Sequence, residues 1–171
     1  CLESAGDSTF CAGASFEELA AVHDRASGKR FFSGFGRLIL SMIRCPKIII
    51  TKIQGKAVGG GVGLAAASDF VLASEAAQFR LSELAIGLGP FVIGPVVEHK
   101  VGRASFIELA LGGEWRDAAW GYDRGLVQKV TKPDNLERVF NEEVQRFSNL
   151  NVDALQQMKK IIWEGTESWE Q

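Results

Sequence analysis

Apolar residues change their spacing several times along this chain, and each change predicts an element. Residues 48–54, IIITKIQ, form a nearly continuous β-branched run, which predicts a buried strand. FVLAS at 70–74 predicts a second buried strand, and AQFRLSE at 77–83 a short third one ending at Glu83. Elsewhere the period lengthens to that of a helix. FEELAAVHDRA at 16–26 reads as one helix, with Ser15 as its N-cap and Glu18 as the capping-box partner. A further helix is expected over 31–44, punctuated by Pro46, and a short alanine-rich one over about 61–68. From about 91 onward helices dominate, with ASFIELAL at 104–111 and WRDAAWGYDRG at 115–125, the latter ended by Gly125 at a C-cap position. LVQKV at 126–130 reads as a strand; two last helices are expected over 133–150, opened by Pro133, and 153–165.

This order predicts an α/β fold over residues 1–101 followed by a helical region over 102–171. The 171 residues are 46% hydrophobic and 23% charged, enough to build the core of one domain or of a domain with an appendage. A formal net charge of −2 with no block of like charges argues against a nucleic-acid partner and against electrostatic membrane binding. No apolar run approaches the ~20 residues of a membrane span, and the opening CLESAGDSTF does not read as a signal peptide. Cys1, Cys11 and Cys45 include no CxxC pair, which disfavours a disulfide framework or a zinc site and fits a reducing, cytoplasmic compartment. The chain opens on Cys1, and its first residues read as the tail of a strand entering a turn. We therefore expect it to begin inside a domain, with an N-terminal portion lying outside these residues.

One stretch sharpens the picture. In KAVGGGVGLAAASD, residues 56–69, four glycines stand where a strand becomes a helix, although glycine in a helix costs roughly 1 kcal/mol relative to alanine. Close helix–strand packing is one reading. The other is an anion site, since the first N–H groups of a helix lack intrahelical acceptors and absent side chains let a ligand approach. The spacing is neither GxxxxGK[ST] nor GxGxxG, so it is no nucleotide-phosphate loop. FCAGASF at 10–16 repeats the arrangement: strand end, Gly13, helix start. Two such turns side by side would aim two backbone N–H groups at one oxygen, which is an oxyanion hole.

FCAGASF, IQGKAVGGGVGLAAASDFVLASEAAQF, LSELAIGLGP, GRASFIELALGG and GLVQKV, in that order, resemble the enoyl-CoA hydratase/isomerase (crotonase) family from residue 8 to about 165. The resemblance implies a crotonase-like spiral of strand–strand–helix units with a C-terminal helical region that builds homotrimers, often paired into hexamers. It implies an acyl-CoA thioester substrate, with coenzyme A part of the substrate and no separate cofactor. It implies that the N–H groups of Ala14 and Gly60 form the oxyanion hole of a thioester enolate. Ala12, Ser15, Phe16, Gly59, Gly61, Gly63, Leu88 and Phe91 are then expected along the bound substrate.

Hydratases of that family use two glutamates, one three residues past the oxyanion glycine and one about twenty residues later. Here the first position is Gly63 and the second is Glu83. Adding water across a C=C bond needs groups to activate water and to deliver a proton. One carboxylate suffices to move a proton between two carbons, which is the work of a Δ3-Δ2-enoyl-CoA isomerase; Glu83 is its candidate base. Burial among Leu81, Leu84 and Ile86 is expected to raise its pKa. The alternatives are a hydratase or dehydratase with a second acid–base group elsewhere, and a non-catalytic acyl-CoA-binding subunit. A dehalogenase would need an aspartate where Pro90 and Phe91 stand. Ser15 reads as an N-cap, Asp69 as structural, Cys11 as a small buried thiol, and His23 and His99 as surface or packing residues. No metal-ligand cluster is read.

Overall fold

The computed structural model describes residues 1–170, the side chains of Phe16 and Glu170 excepted. Along the chain lie β1 (Thr9–Cys11), α1 (Phe16–Ala20), α2 (Arg25–Arg44), β2 (Ile50–Ile53), β3 (Lys56–Val58), α3 (Gly60–Ala66), β4 (Phe70–Ser74) and β5 (Gln78–Arg80). A 3₁₀ turn at Glu83–Ile86 leads to α4 (Gly94–Gly112), β6 (Arg116–Asp117), α5 (Ala118–Asp123), β7 (Lys129–Thr131), α6 (Leu136–Ser148) and α7 (Val152–Ile162). One sheet has the order β1-β3-β5-β6, its first three strands parallel and β6 antiparallel. The other, β2-β4-β7, is wholly parallel. The chain crosses from one sheet to the other within each unit, so β2–β3–α3 and β4–β5–α4 are successive strand–strand–helix turns of a spiral.

The packing follows from residue type. β4 is buried along nearly its whole length, with Val71, Leu72 and Ala73 fully enclosed, as a near-continuous apolar run in a parallel sheet requires. α3 is built of glycine and alanine with Val62 and Leu64, and Val62, Ala65 and Ala66 are fully buried in one cluster with Phe79, Val97 and Leu109. α2 buries Ile39, Met42 and Ile43, one stripe of its surface.

Several elements differ from the expectation. The helix expected over 16–26 stops at Ala20, and a new one starts at Arg25 and runs unbroken through 31–44. The break has a local cause: Asp24 accepts the Ser27 N–H at 2.7 Å, while Ser27 Oγ accepts from the Asp24 N–H, a capping box that opens α2. His23 thus lies in the turn rather than on a helix. β5 ends at Arg80, leaving Glu83 to open the 3₁₀ turn. β3 and β6 are too short for a sequence period to mark.

Asp69, expected to be structural, joins the turn after α3 to the entry of β2 and to α7 with its C-cap. It accepts from the Ile49 N–H, the Lys159 ammonium and the Trp163 indole at 2.7–2.8 Å. Lys159 also donates to the carbonyls of Met42 and Lys47, both at 2.9 Å, so one buried ammonium ties α7 to the end of α2 and to the turn after α3. Lys100 donates to Ser68 O at 2.8 Å beside this cluster, and burial pushes its ammonium down to about 8 despite nearby Asp69.

Candidate functional site

β1, β3 and β5 are parallel neighbours, so their C-terminal ends emerge at one edge of the sheet. That topology alone brings together residues 12–15, the Gly59–Gly60 corner and Glu83. Crevices outside the carboxyl ends of parallel strands are where α/β folds bind ligands. The Gly59 N–H bonds to Arg80 O at 2.9 Å, which pins the corner to the strand that leads to Glu83. Gly59 has φ 53 and ψ −114, a conformation that favours glycine. Gly13 (φ 93) folds the first turn onto the second: a Cβ there would lie 3.1 Å from Val58 O and 3.8 Å from Gly60 N.

The Glu83 carboxyl lies against the same corner. A Cβ on Gly59 would approach its Oε1 to 2.9 Å, so the absent side chain is the space the carboxyl uses. Oε2 is buried and accepts no hydrogen bond among the described residues. Desolvation raises the Glu83 pKa above its ordinary value, outweighing the opposing pull of the Glu83 and Ser82 backbone amides. The enclosure is not made by Leu84 and Ile86, as the sequence implied, because both are about half exposed, at 49% and 50%. Leu88 donates its N–H to Glu83 O at 3.0 Å, folding the loop back over the turn.

The four glycines have different tasks. Gly59 and Gly60 border the site. Gly61 instead meets β1: a Cβ would stand 2.6 Å from Cys11 O, so here glycine serves helix–strand packing. Gly63, expected along the substrate, is buried against protein, where a Cβ would come 2.5 Å from Ile93 Cγ2 and 3.5 Å from Phe35 Cε1. A longer side chain at 63, a carboxylate included, has no room in this packing. The same Phe35 ring reaches Gly60, within 3.0 Å of a Cβ built there. Phe35 carried no expectation from the sequence; a helical aromatic signals burial but not which backbone it will touch.

Other expected residues spread outward. Ala12 and Ala14 are exposed on the turn after β1, and Ser15 caps α1 by accepting the Glu18 N–H at 3.3 Å. Phe16 begins α1, and its side chain lies outside the described residues. Phe91 is 83% exposed and stands between two adjoining open hollows of about 640 and 710 Å³. Leu84, Phe106 and Leu111 line the first, and Phe32, Ile39, Leu40 and Val96 the second. His99 stacks on Trp163 with ring centroids 5.2 Å apart, a packing role. Among the described residues, no group of three or more His, Cys, Asp or Glu is gathered to hold a metal ion, and no helix is long and apolar enough to cross a membrane.

A glycine-cornered backbone turn, a second turn folded onto it and one partly buried carboxyl thus meet at one sheet edge of a crotonase-like spiral. The chain belongs to the enoyl-CoA hydratase/isomerase family, whose model matches residues 1–171. It is similar to trans-2-decenoyl-acyl-carrier-protein isomerase of Streptococcus mutans, at 25% identity over 76% of this chain and 50% of that protein. It is similar also to a probable enoyl-CoA hydratase of Rhizobium meliloti, at 30% identity over 91% of this chain and 60% of that one. A crystal structure of an enoyl-CoA hydratase/isomerase from Marinobacter aquaeolei superposes with a TM-score of 0.86 at 28% identity, covering 95% of this chain and 65% of that one. The chain thus spans 50–60% of the length of these two sequence relatives.

Proposed function

We propose that the protein moves the double bond of an acyl thioester from the 3,4 to the 2,3 position, with Glu83 as the only proton carrier. The carrying observation is the Glu83 carboxyl, whose Oε2 is buried without a hydrogen-bond partner among the described residues and whose Oε1 is lodged against Gly59. Its raised pKa suits a group that takes a proton from C2 and returns it to C4. The N–H groups of Ala14 and Gly60 are the proposed oxyanion pair, holding the negative charge that forms on the thioester oxygen when the C2–H bond breaks. The packing of Ile93 and Phe35 at Gly63 supports a one-carboxylate reading, since a second acid–base group has no room there. The hydratase reading stays as the alternative because a named relative is a probable enoyl-CoA hydratase.

The test presents the intact protein with 3-enoyl-CoA and 2-enoyl-CoA in parallel, reading conjugated-thioester absorbance and product mass. The proposal expects conjugation of the 3-enoyl substrate with no change of mass. A product heavier by one water from 2-enoyl-CoA, with no double-bond shift, would establish the hydratase instead.

A further inference from the structure

Two consecutive glycines have opposite neighbours: Gly59 meets the Glu83 carboxyl, and Gly60 meets the Phe35 ring edge. Phe35 continues to Gly63, where Ile93, only 4% exposed, joins it. The first turn of α3 is therefore packed by two apolar side chains, starting one residue on from the glycine that meets the base. A water molecule held at a site needs two to four polar partners, and neither the ring nor the isoleucine provides one.

We propose that Phe35 is a specificity-determining residue, which keeps water from the reacting carbons and so commits the site to proton return rather than hydration. This rests on the reading of Glu83 as the base. In the committed path the C2–H bond breaks, its electron pair enters the thioester enolate and the proton moves to Glu83. C4 then takes that proton, the double bond settles between C2 and C3, and mass is unchanged. In the excluded path a water oxygen bonds to C3, the C2–C3 π pair enters the thioester enolate, and the water's proton passes to Glu83 and from there to C2, adding one water. Phe35 does not touch the proton in either path; it decides whether water is present to compete.

The experiment uses the intact protein with 3-enoyl-CoA in deuterium oxide, weighing product at early conversion. A dry site returns the proton it removed, so the wild-type product carries mostly protium. Phe35→Ala opens the wall: its product carries mostly deuterium, and on 2-enoyl-CoA it forms the hydrated product that wild type does not. Phe35→Leu keeps an apolar wall and stays close to wild type. Mostly deuterated product from wild type overturns the inference even if Phe35→Ala fails to fold. So does a Phe35→Ala enzyme with wild-type protium retention and no hydrated product. A wild type that shifts no double bond at all overturns the reading of Glu83 beneath it, and is told apart by the missing conjugated absorbance.

Discussion

At Glu83, burial and the proposed function pull the same way. A carboxyl that must both take and return a proton works best with a pKa near the working pH, and desolvation moves this one in that direction. The sign is definite. Folding favours the neutral form, so the associated stability is present at low pH and is lost as pH rises through the raised pKa. The proposed activity runs the other way, because its base must be ionised. We expect kcat/KM for the double-bond shift to climb with pH along a limb centred above the ordinary 4.5 of a glutamate and then level off. A limb at or below 4.5, measured in a pH–rate profile, would contradict the desolvated site. Glu83, Gly59, Ser15 and Asp69 were legible because each sits in a local pattern: a motif, a turn or a cap. Phe35 was not, since its meaning lies in contact with Gly60 and Gly63 from a helix some 25 residues upstream.

Among the elements, the long apolar runs announced β2 and β4, and the helical period announced α3, α4, α6 and α7. What stayed hidden were β3 and the Asp24 capping box, which splits the helix expected over 16–26 and starts α2 at Arg25. A three-residue strand has no period, and its existence depends on parallel partners far along the chain. The hold of α7 on the core is also tertiary. Lys159 and Asp69 are 3% and 2% exposed at the side chain and pair at 2.8 Å, and the ammonium fills two further carbonyls. Removing one partner of a buried pair leaves the other charge uncompensated, at a cost of roughly 3–5 kcal/mol. Lys159→Met is expected to lower stability by about that amount in denaturant unfolding. A loss below about 1 kcal/mol, the scale of a surface pair, would mean that α7 is held by its apolar contacts alone.

At the scale of the whole molecule, the site is a consequence of topology. Three parallel strands of one sheet end at a common edge, and each hands its next residues to the same corner: residues 12–15 from β1, Gly59–Gly60 from β3, Glu83 from β5. The sequence motifs named these segments, but only the strand order explains why they meet. The central claim is that one carboxyl carries the proton. It is tested most directly by comparing Glu83→Gln with wild type for turnover of 3-enoyl-CoA and, separately, for thioester binding. The amide keeps the shape and cannot accept the proton, so turnover should fall roughly 10²- to 10⁴-fold with binding held within about threefold, well under the tenfold that 1.4 kcal/mol represents. Turnover within about tenfold of wild type, under 1.4 kcal/mol of barrier, would contradict the account and place the proton transfer on another group.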